Sequence, residues 1–247
     1  MKGSFLISSN SSEIDRNIFA NKSSLILHWL LIIGIEKEQF SIREVAKECN
    51  LSLGLVQRVF KTLTLKGYLH VEGLRTSKKF RFKNPKILLK SWLDNYNIVE
   101  KCKMRTYRSA FQNKEQIFQT LIKNNLEKKV SLALHSAAEA YGYKNTNLNT
   151  IELYLFQPDL RSKIEKKLLL EPQEKGYDIL LIEPYYKSIL NSFSQSCKLL
   201  KKYNLLCSPI LLTYLDLYNF PLRGKEQAEF MAERIEKLKK IYKIRDE

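Results

Sequence analysis

The 247-residue sequence predicts an α+β protein built in two parts. Apolar residues recur at helical spacing over residues 25–66, and two short runs of alternating polar and apolar side chains follow them. From about residue 101 onward, helical and strand-like runs alternate, which is typical of a mixed α/β domain. The length also fits two domains, since about 150 residues is usual for one.

Local start and stop signals divide the N-terminal part into three helices. Ser41, with Glu44 three residues later, forms a capping box, and Ser52 is a second N-cap residue. Gly67 offers the left-handed conformation that commonly ends a helix. The helices are therefore predicted to run from residue 25 to between 34 and 38, from 42 to 50 and from 53 to 66.

A basic β-hairpin is predicted directly after the third helix. Residues 68–72 and 79–83 alternate with period two, and the loop at residues 73–78 begins with glycine. Helix, short helix, helix and hairpin is the element order of a winged helix-turn-helix. The predicted fold is thus an N-terminal winged helix-turn-helix followed by a mixed α/β C-terminal domain.

Pro85 marks the predicted exit from the first domain, because proline is favoured in the first turn of a helix. We predict a winged helix-turn-helix domain at residues 20–84, a connecting helix at 85–100 and a mixed α/β domain at 101–247. In that last domain we expect helices at 115–125, 131–141 and 159–170, and strands at 105–111, 150–156, 178–182 and 205–207.

Two further helices are expected near the C-terminus. Ser208 is predicted to cap one of them, with Pro209 at its first position. The last is predicted as one amphipathic helix that starts at Gly224 and continues beyond Leu238.

The positive charge is concentrated in one segment. The chain has 42 Lys and Arg against 26 Asp and Glu, a net charge of +16. Residues 23–51 carry −1, whereas residues 52–90 hold ten basic residues against Glu72 alone, which gives +9. A local excess of this size indicates a polyanionic partner, although ordinary solvated cations on a helix and a turn remain the alternative.

The third helix is the predicted recognition helix, because the second helix of a helix-turn-helix lies in the major groove of double-stranded DNA. Gln57, Arg58 and Lys61 fall off its apolar face and should point outward. Gln57 suits adenine, and Arg58 suits guanine or phosphate. Ser52 and the start of the helix suit a phosphate oxygen.

The hairpin should hold the neighbouring DNA backbone. Its predicted contact residues are Arg75, Lys78 and Lys79, which should touch phosphates or enter the minor groove.

No membrane segment, metal site or cofactor is expected. The longest apolar run, residues 25–35, is shorter than the roughly 20 residues needed to span a bilayer, so we expect a cytoplasmic protein. The four cysteines and three histidines do not cluster, and we expect all four cysteines to be reduced.

Enzyme motifs are weak, and no catalytic residue is predicted. Gly3-Ser4 followed by Glu13 and Asp15 mimics the spacing of a nucleotidyltransferase, but no strand or helix is predicted to position it. Glu152 and Asp178 could belong to a nuclease-like core, but the required lysine is missing.

Residues in the C-terminal half resemble a known family. Residues 208–218 (SPILLTYLDLY) and 221–229 (PLRGKEQAE) resemble the C-terminal signature of AbiEi-type antitoxins, which are transcriptional regulators of type IV toxin-antitoxin systems linked to abortive phage infection. Residues 137–142, 152–155 and 177–182 also fit. The resemblance covers roughly residues 20–235.

The resemblance implies an autorepressor that binds repeats in its own promoter. It also implies that the C-terminal domain is antitoxin-like and acts against a nucleotidyltransferase-like toxin of the same operon. Arg223 and Lys225 match the signature and are candidates for a partner surface or a second DNA surface. The alternative is a regulator whose C-terminal domain binds an effector or a partner protein without any toxin.

Overall fold

Three α-helices and a two-stranded antiparallel sheet form the N-terminal part of the computed structural model, which describes residues 17–74, 77–196 and 203–243. The helices are α1 (Ser24–Ile32), α2 (Ile42–Glu48) and α3 (Leu53–Leu65), and the strands are β1 (Leu69–Glu72) and β2 (Lys79–Phe82). A short 3-10 turn, Gly34–Glu36, follows α1.

The predicted boundaries of α2 and α3 are confirmed by their caps, whereas α1 ends at Ile32, before the predicted residues 34–38. The Ser41 side chain accepts from the Glu44 backbone N–H and the Glu44 carboxylate accepts from the Ser41 N–H, so both halves of the capping box form. The Ser52 hydroxyl accepts from Leu55 N at 3.3 Å. Gly67 has φ +77°, the left-handed conformation expected after α3.

A row of aromatic rings joins these elements. Trp29, Phe40, Phe60 and Phe80 pack edge to face, with successive ring centroids 5.2, 5.9 and 4.7 Å apart. Phe40 and Phe80 also exchange two backbone hydrogen bonds of 2.9 Å, which tie the segment before α2 to the hairpin. The hairpin is therefore fixed relative to α2 and α3.

Two helices connect this part to the rest of the chain where one was predicted. They are α4 (Pro85–Asn95), with Pro85 at its start as predicted, and α5 (Ile98–Lys101). The helix breaks at Tyr96, whose backbone is extended and whose side chain is buried. The Asn219 amide donates to the carbonyl oxygens of Leu93 and Tyr96, which satisfies the end of α4.

The larger sheet has seven described strands in the order β6-β3-β7-β5-β4-β9-β8. They are β3 (Lys103–Ser109), β4 (Val130–Leu132), β5 (Ile151–Leu155), β6 (Leu170–Pro172), β7 (Ile179–Glu183), β8 (Gln195–Ser196) and β9 (Leu206–Cys207). The pairs β5–β7 and β4–β9 are parallel, and the other pairs are antiparallel.

Seven further helices are described in this half. They are α6 (Lys114–Lys123), α7 (Leu134–Ala140), α8 (Leu160–Lys167), α9 (Lys187–Phe193), α10 (Ile210–Tyr218), α11 (Gly224–Ala232) and α12 (Glu236–Lys243). The sequence did not predict α9. The prediction of one final helix was wrong, because the chain bends after α11 and α12 packs against α4, which buries Leu238 and Ile241.

Three other local predictions need correction. The helix predicted at 131–141 begins as β4, because Val130–Leu132 pairs with strands on both sides. The helix predicted at 159–170 ends at Lys167, because Leu169 takes φ +50° and leads into β6. Ser208 is not the N-cap of α10, since Pro209 holds that position and the Ser208 hydroxyl is hydrogen-bonded to Thr213 Oγ1 at 2.6 Å.

The core consists of two hydrophobic clusters on opposite faces of the larger sheet. Because side chains alternate along a strand, Tyr154, Leu180 and Ile182 belong to the first cluster and their neighbours Leu153 and Leu181 to the second. The first cluster continues through α4 into α1–α3, and it also includes α10–α12. The core therefore crosses the predicted domain boundary near residue 85.

The cysteines differ in part from expectation. Cys49 and Cys102 are free and buried. The prediction of a reduced thiol is wrong at Cys207, which forms a disulfide. Cys207 lies in β9, and the spacing of cysteines in the sequence does not show which of them the fold brings within bonding distance. Within residues 17–74, 77–196 and 203–243, every helix is too short or too polar to span a bilayer.

Candidate nucleic-acid interface

A groove of about 720 Å³ lies between the start of α2, one side of α3 and the hairpin. Three of the residues predicted to bind DNA, Gln57, Lys61 and Lys78, line it together. The structure thus brings a polar and a basic side chain of α3 next to a lysine of the hairpin, although Lys61 and Lys78 are 17 positions apart in the sequence.

The orientation of α3 follows from its apolar face. Val56, Val59, Phe60 and Leu63 are buried, so the opposite side of the helix faces outward. Gln57, Arg58 and Lys61 are all exposed, as the periodicity predicts. Arg58 does not line the groove, because it is one position and about 100° around the helix from Gln57.

Ser52 lies at the exposed N-terminal end of α3. Its hydroxyl accepts a hydrogen bond from Leu55 N, and a hydroxyl oxygen has the capacity to make a further bond. A phosphate oxygen at this point would meet the N-terminal backbone N–H groups of a 13-residue helix.

Hydrogen bonds between Ser77 and Leu74 join the two described sides of the hairpin loop. Gly73 has φ +81°, and both the backbone N–H and the hydroxyl of Ser77 donate to the Leu74 carbonyl oxygen, at 3.1 and 2.7 Å. Lys78, directly before β2, and Lys79, the first residue of β2, are both exposed, but only Lys78 lines the groove. Arg75 lies outside the described residues.

Glu72, the one acidic residue of segment 52–90, faces away from the groove. Val71 and Phe80 line the groove from the hairpin, and side chains alternate along a strand, so Glu72 and Arg81 lie on the opposite face. There Glu72 contacts Arg81 at 3.5 Å and accepts from the Gln39 amide at 3.0 Å. The Glu72 carboxylate therefore does not face the groove.

Arg43 is a groove residue that the sequence reasoning missed. Arg43 belongs to segment 23–51, whose net charge is −1, so no DNA contact was expected there. In the structure the acidic residues of α2 are engaged elsewhere: Glu44 accepts from Lys37 at 2.5 Å, and Glu48 accepts from Trp29 Nε1 at 2.6 Å. The hydrogen bond from Lys37 lowers the pKa of the Glu44 carboxyl, so this charge is balanced locally.

In the C-terminal half, Gly224 packs where no side chain would fit. A Cβ placed there would lie 2.3 Å from the Leu217 carbonyl oxygen and 2.7 Å from Phe220 Cβ. Arg223 precedes it with φ +53°, and its guanidinium donates two hydrogen bonds, of 2.8 and 2.6 Å, to the Glu226 carboxylate. The Arg-Gly-Lys-Glu segment therefore has a structural role at the start of α11.

A family model described as "Transcriptional regulator, AbiEi antitoxin, Type IV TA system" matches residues 81–237, more than half of the chain. The chain belongs to the AbiEi antitoxin family. The resemblance stated from the sequence is thus confirmed. No curated protein and no solved structure matches the chain. The matched span begins inside β2, so α1–α3 and β1 of this AbiEi-family protein lie outside it.

Lys225, the other basic residue predicted as part of a C-terminal surface of this AbiEi-family chain, also makes an internal contact. Its Nζ lies over the Tyr218 ring, 5.6 Å from the centroid, which is a cation–π geometry. Lys225 and Arg223 are both exposed. Their role toward a partner or DNA stays a prediction.

The residues considered for an enzyme serve the fold. Glu152 is fully buried and accepts from Ser136 N at 2.8 Å, Ser136 Oγ at 2.6 Å and Tyr177 OH at 3.2 Å. Asp178 accepts from Ser109 N at 3.0 Å. Gly3, Ser4, Glu13 and Asp15 lie outside the described residues. Within the described ranges, no group of three or more His, Cys, Asp or Glu could hold a metal ion.

Asp216 is the buried carboxyl of the family signature. It is fully buried and accepts from Tyr96 OH at 2.8 Å and from Tyr154 OH at 2.7 Å. Burial raises the pKa of the Asp216 carboxyl to about 7, against the opposing effect of the two tyrosine hydrogen bonds. Asp216 therefore joins α10 to β5 and to the end of α4.

Proposed function

We propose that this AbiEi-family chain is a sequence-specific DNA-binding repressor of its own operon and an antitoxin. In this proposal residues 20–84 form a winged helix-turn-helix, residues 85–100 connect it, and residues 101–247 form the antitoxin domain. The observation that carries the proposal is the groove in which Gln57, Lys61 and Lys78 meet. The family match supports the regulatory role.

Each part of the groove suits one part of a DNA duplex. The exposed side of α3 would enter the major groove, where Gln57 can donate to and accept from adenine and Arg58 can contact guanine. Ser52, Lys61, Lys78 and Lys79 would contact phosphates, and Arg43 would approach from the first helix of the motif. With Glu72 turned away, no acidic residue of segment 52–90 opposes the contacts of Ser52, Lys61 and Lys78. Lys79 is the cross-strand partner of Glu72, so it would reach the DNA backbone from the other face of the hairpin.

A salt titration tests the DNA-binding part of the proposal. The full chain is titrated against its own upstream DNA and against a shuffled duplex, by fluorescence anisotropy at several KCl concentrations. Affinity should fall steeply with salt, with a slope of about 0.9 for each phosphate neutralised. Equal affinity for both duplexes at every salt concentration would contradict a sequence-specific repressor.

Two substitutions separate base contacts from phosphate contacts. Arg58→Ala should reduce the preference for upstream DNA over shuffled DNA, whereas Lys78→Ala should weaken both and reduce the salt slope by about 1. Lys175→Ala provides a matched control, because Lys175 is exposed but lies in the loop between β6 and β7. Identical effects of Arg58→Ala and Lys78→Ala would argue against the proposed docking.

The antitoxin part is tested by growth. If a nucleotidyltransferase-like protein is encoded beside this chain, its expression should arrest growth, and co-expression of this chain should restore it. Lys78→Ala should lose repression of a promoter reporter yet keep the rescue, because Lys78 lies outside the proposed antitoxin domain. Failure of the unaltered chain to rescue would contradict the antitoxin role.

A second candidate function is regulation by a bound effector or partner, and a groove in the C-terminal half favours it. This groove of about 590 Å³ between α10, α11 and α12 is lined by Tyr214, Tyr218 and Tyr242, together with Glu229 and Lys239. Co-purification with the product of the adjacent reading frame, lost on Tyr218→Ala, would support this candidate. If the chain does not associate with that product, the candidate is contradicted, and the proposal that stands is a repressor that acts without this partner.

A further inference from the structure

Gly54, in the first turn of α3, is a glycine that the protein's own fold does not require. A Cβ placed there would meet no atom within 4 Å, and Gly54 is not among the glycines with positive φ. By contrast, Gly67 and Gly73 have positive φ, and Gly224 packs against backbone. A glycine at this exposed position leaves room for another molecule to approach the α3 backbone closely.

Leu53, beside Gly54, is an apolar side chain exposed to water at the same point. It is 51% exposed and lines the groove, one helical turn before Gln57. The turn that contains both residues is the part of a recognition helix that reaches base edges. Leu53 carries no hydrogen-bonding group, so it cannot satisfy the polar atoms of a base edge.

We propose that Leu53 packs against the C5 methyl group of a thymine beside the base that Gln57 contacts, and that Gly54 lets the α3 backbone come close enough for this contact. The thymine methyl is the apolar group that a base pair presents in the major groove. The proposal rests on the proposed function, and it adds a specificity-determining residue and the base it reads.

Replacing single thymines by deoxyuridine tests the contact, because this change removes only the methyl group. The full chain is titrated against upstream duplexes with one thymine replaced at a time. At one position, or at a symmetry-related pair, affinity should fall about fourfold, as expected for one buried methyl-sized group. Leu53→Ala should weaken binding to the unmodified duplex and abolish its difference from the deoxyuridine duplex at that position.

Leu65→Ala is the matched control. Leu65 is 61% exposed and lines the same groove, but it lies 12 residues further along α3, about 18 Å away along the helix axis. Leu65→Ala should therefore keep the full deoxyuridine effect. If the effect persists in Leu53→Ala, or disappears equally in Leu65→Ala, the assignment of Leu53 is overturned.

Gly54→Ala gives an independent readout, because stability and affinity should move in opposite directions. The added methyl group meets open space in the free protein, so Tm should rise by about 2 °C. Affinity for the upstream duplex should fall at least about tenfold if the backbone lies against DNA. A variant with raised Tm and unchanged affinity would overturn the close approach.

Failure of this inference differs from failure of the proposed function. If the unaltered chain does not prefer its upstream DNA, the repressor proposal fails and the thymine contact fails with it. If the preference is present but no thymine methyl contributes to affinity, the repressor proposal stands and the Leu53 contact is wrong.

Discussion

At the scale of single residues, Asp216 is expected to make the stability of the protein depend on pH. Its folded-state pKa is about 7, above the ordinary value of 3.8, so between these values the native state holds a proton that the unfolded chain releases. The contribution to stability is full below about pH 4 and is lost as the pH rises through 7. Relative to Asp216→Asn, the unfolding free energy should fall by up to about 4 kcal/mol over this range.

Urea denaturation of both proteins between pH 4 and pH 8 measures this difference. Asp94→Asn is a suitable control because Asp94 is exposed on α4. A constant difference between Asp216→Asn and the unaltered protein across the range would contradict the raised pKa.

Gly224 is expected to be essential for packing at the start of α11. In Gly224→Ala the new Cβ would clash with the Leu217 carbonyl oxygen and with Phe220, and overpacking of this kind costs about 1–3 kcal/mol. Thermal denaturation should show a Tm several degrees lower. Gly54→Ala, where the added methyl group meets open space, is the control and should shift Tm upward. An unchanged Tm in Gly224→Ala would mean that the backbone relaxes at no cost.

In the candidate site, the orientation of a side chain was predictable from the sequence only where the periodicity of a single helix decides it. The spacing of Val56, Val59 and Leu63 is enough to place Gln57 and Lys61 outward, and the structure confirms their exposure. Arg43 was not predictable, because its availability depends on Lys37 and Trp29 engaging the acidic residues of α2. These contacts are made in the folded protein and leave no pattern in the local sequence.

At the scale of elements, the predictions that succeeded best were of helix ends determined by residues nearby in the sequence. The capping box of α2 and the Gly67 stop after α3 involve residues within four positions of the helix end, and both were found as expected. β4 and β6 have three residues each, too short to show a period, and they become strands only through distant partners. The break between α11 and α12 likewise depends on packing against α4.

Ser52, the N-cap residue of α3, is expected both to stabilise the helix and to contact a DNA phosphate. Ser52→Ala removes the acceptor for Leu55 N and should cost about 1 kcal/mol of unfolding free energy. Ser52→Asp keeps a good cap and suits the positive end of the helix dipole, so stability should recover. The added negative charge should nevertheless repel phosphate and reduce DNA affinity.

Urea denaturation and fluorescence anisotropy on the same samples distinguish these two effects. Asn113→Ala, which removes the N-cap acceptor of α6 outside the groove, is a comparison for the loss of a cap alone. If Ser52→Asp bound upstream DNA as tightly as the unaltered protein, no phosphate could lie at this helix end.

At the scale of the whole molecule, the shared core should make the two parts unfold together. The first hydrophobic cluster contains α1–α3, α4 and α10–α12, and Leu238 of α12 is fully buried in it. Lys240 of α12 also pairs with Glu36 after α1 at 2.6 Å, but an exposed pair of this kind contributes little stability. Burial rather than charge should therefore couple α12 to the N-terminal part.

Leu238→Ala tests this coupling, because both tryptophans, Trp29 and Trp92, lie far from α12 in the sequence. A fully buried leucine replaced by alanine costs about 2–5 kcal/mol. Tryptophan fluorescence, which reports the N-terminal part and α4, should shift its urea midpoint together with far-UV circular dichroism, which reports all helices. Lys243→Ala, at the exposed end of α12, should move neither midpoint. If only the circular dichroism midpoint moved in Leu238→Ala, α12 would unfold separately, and the common core would not be a cooperative unit.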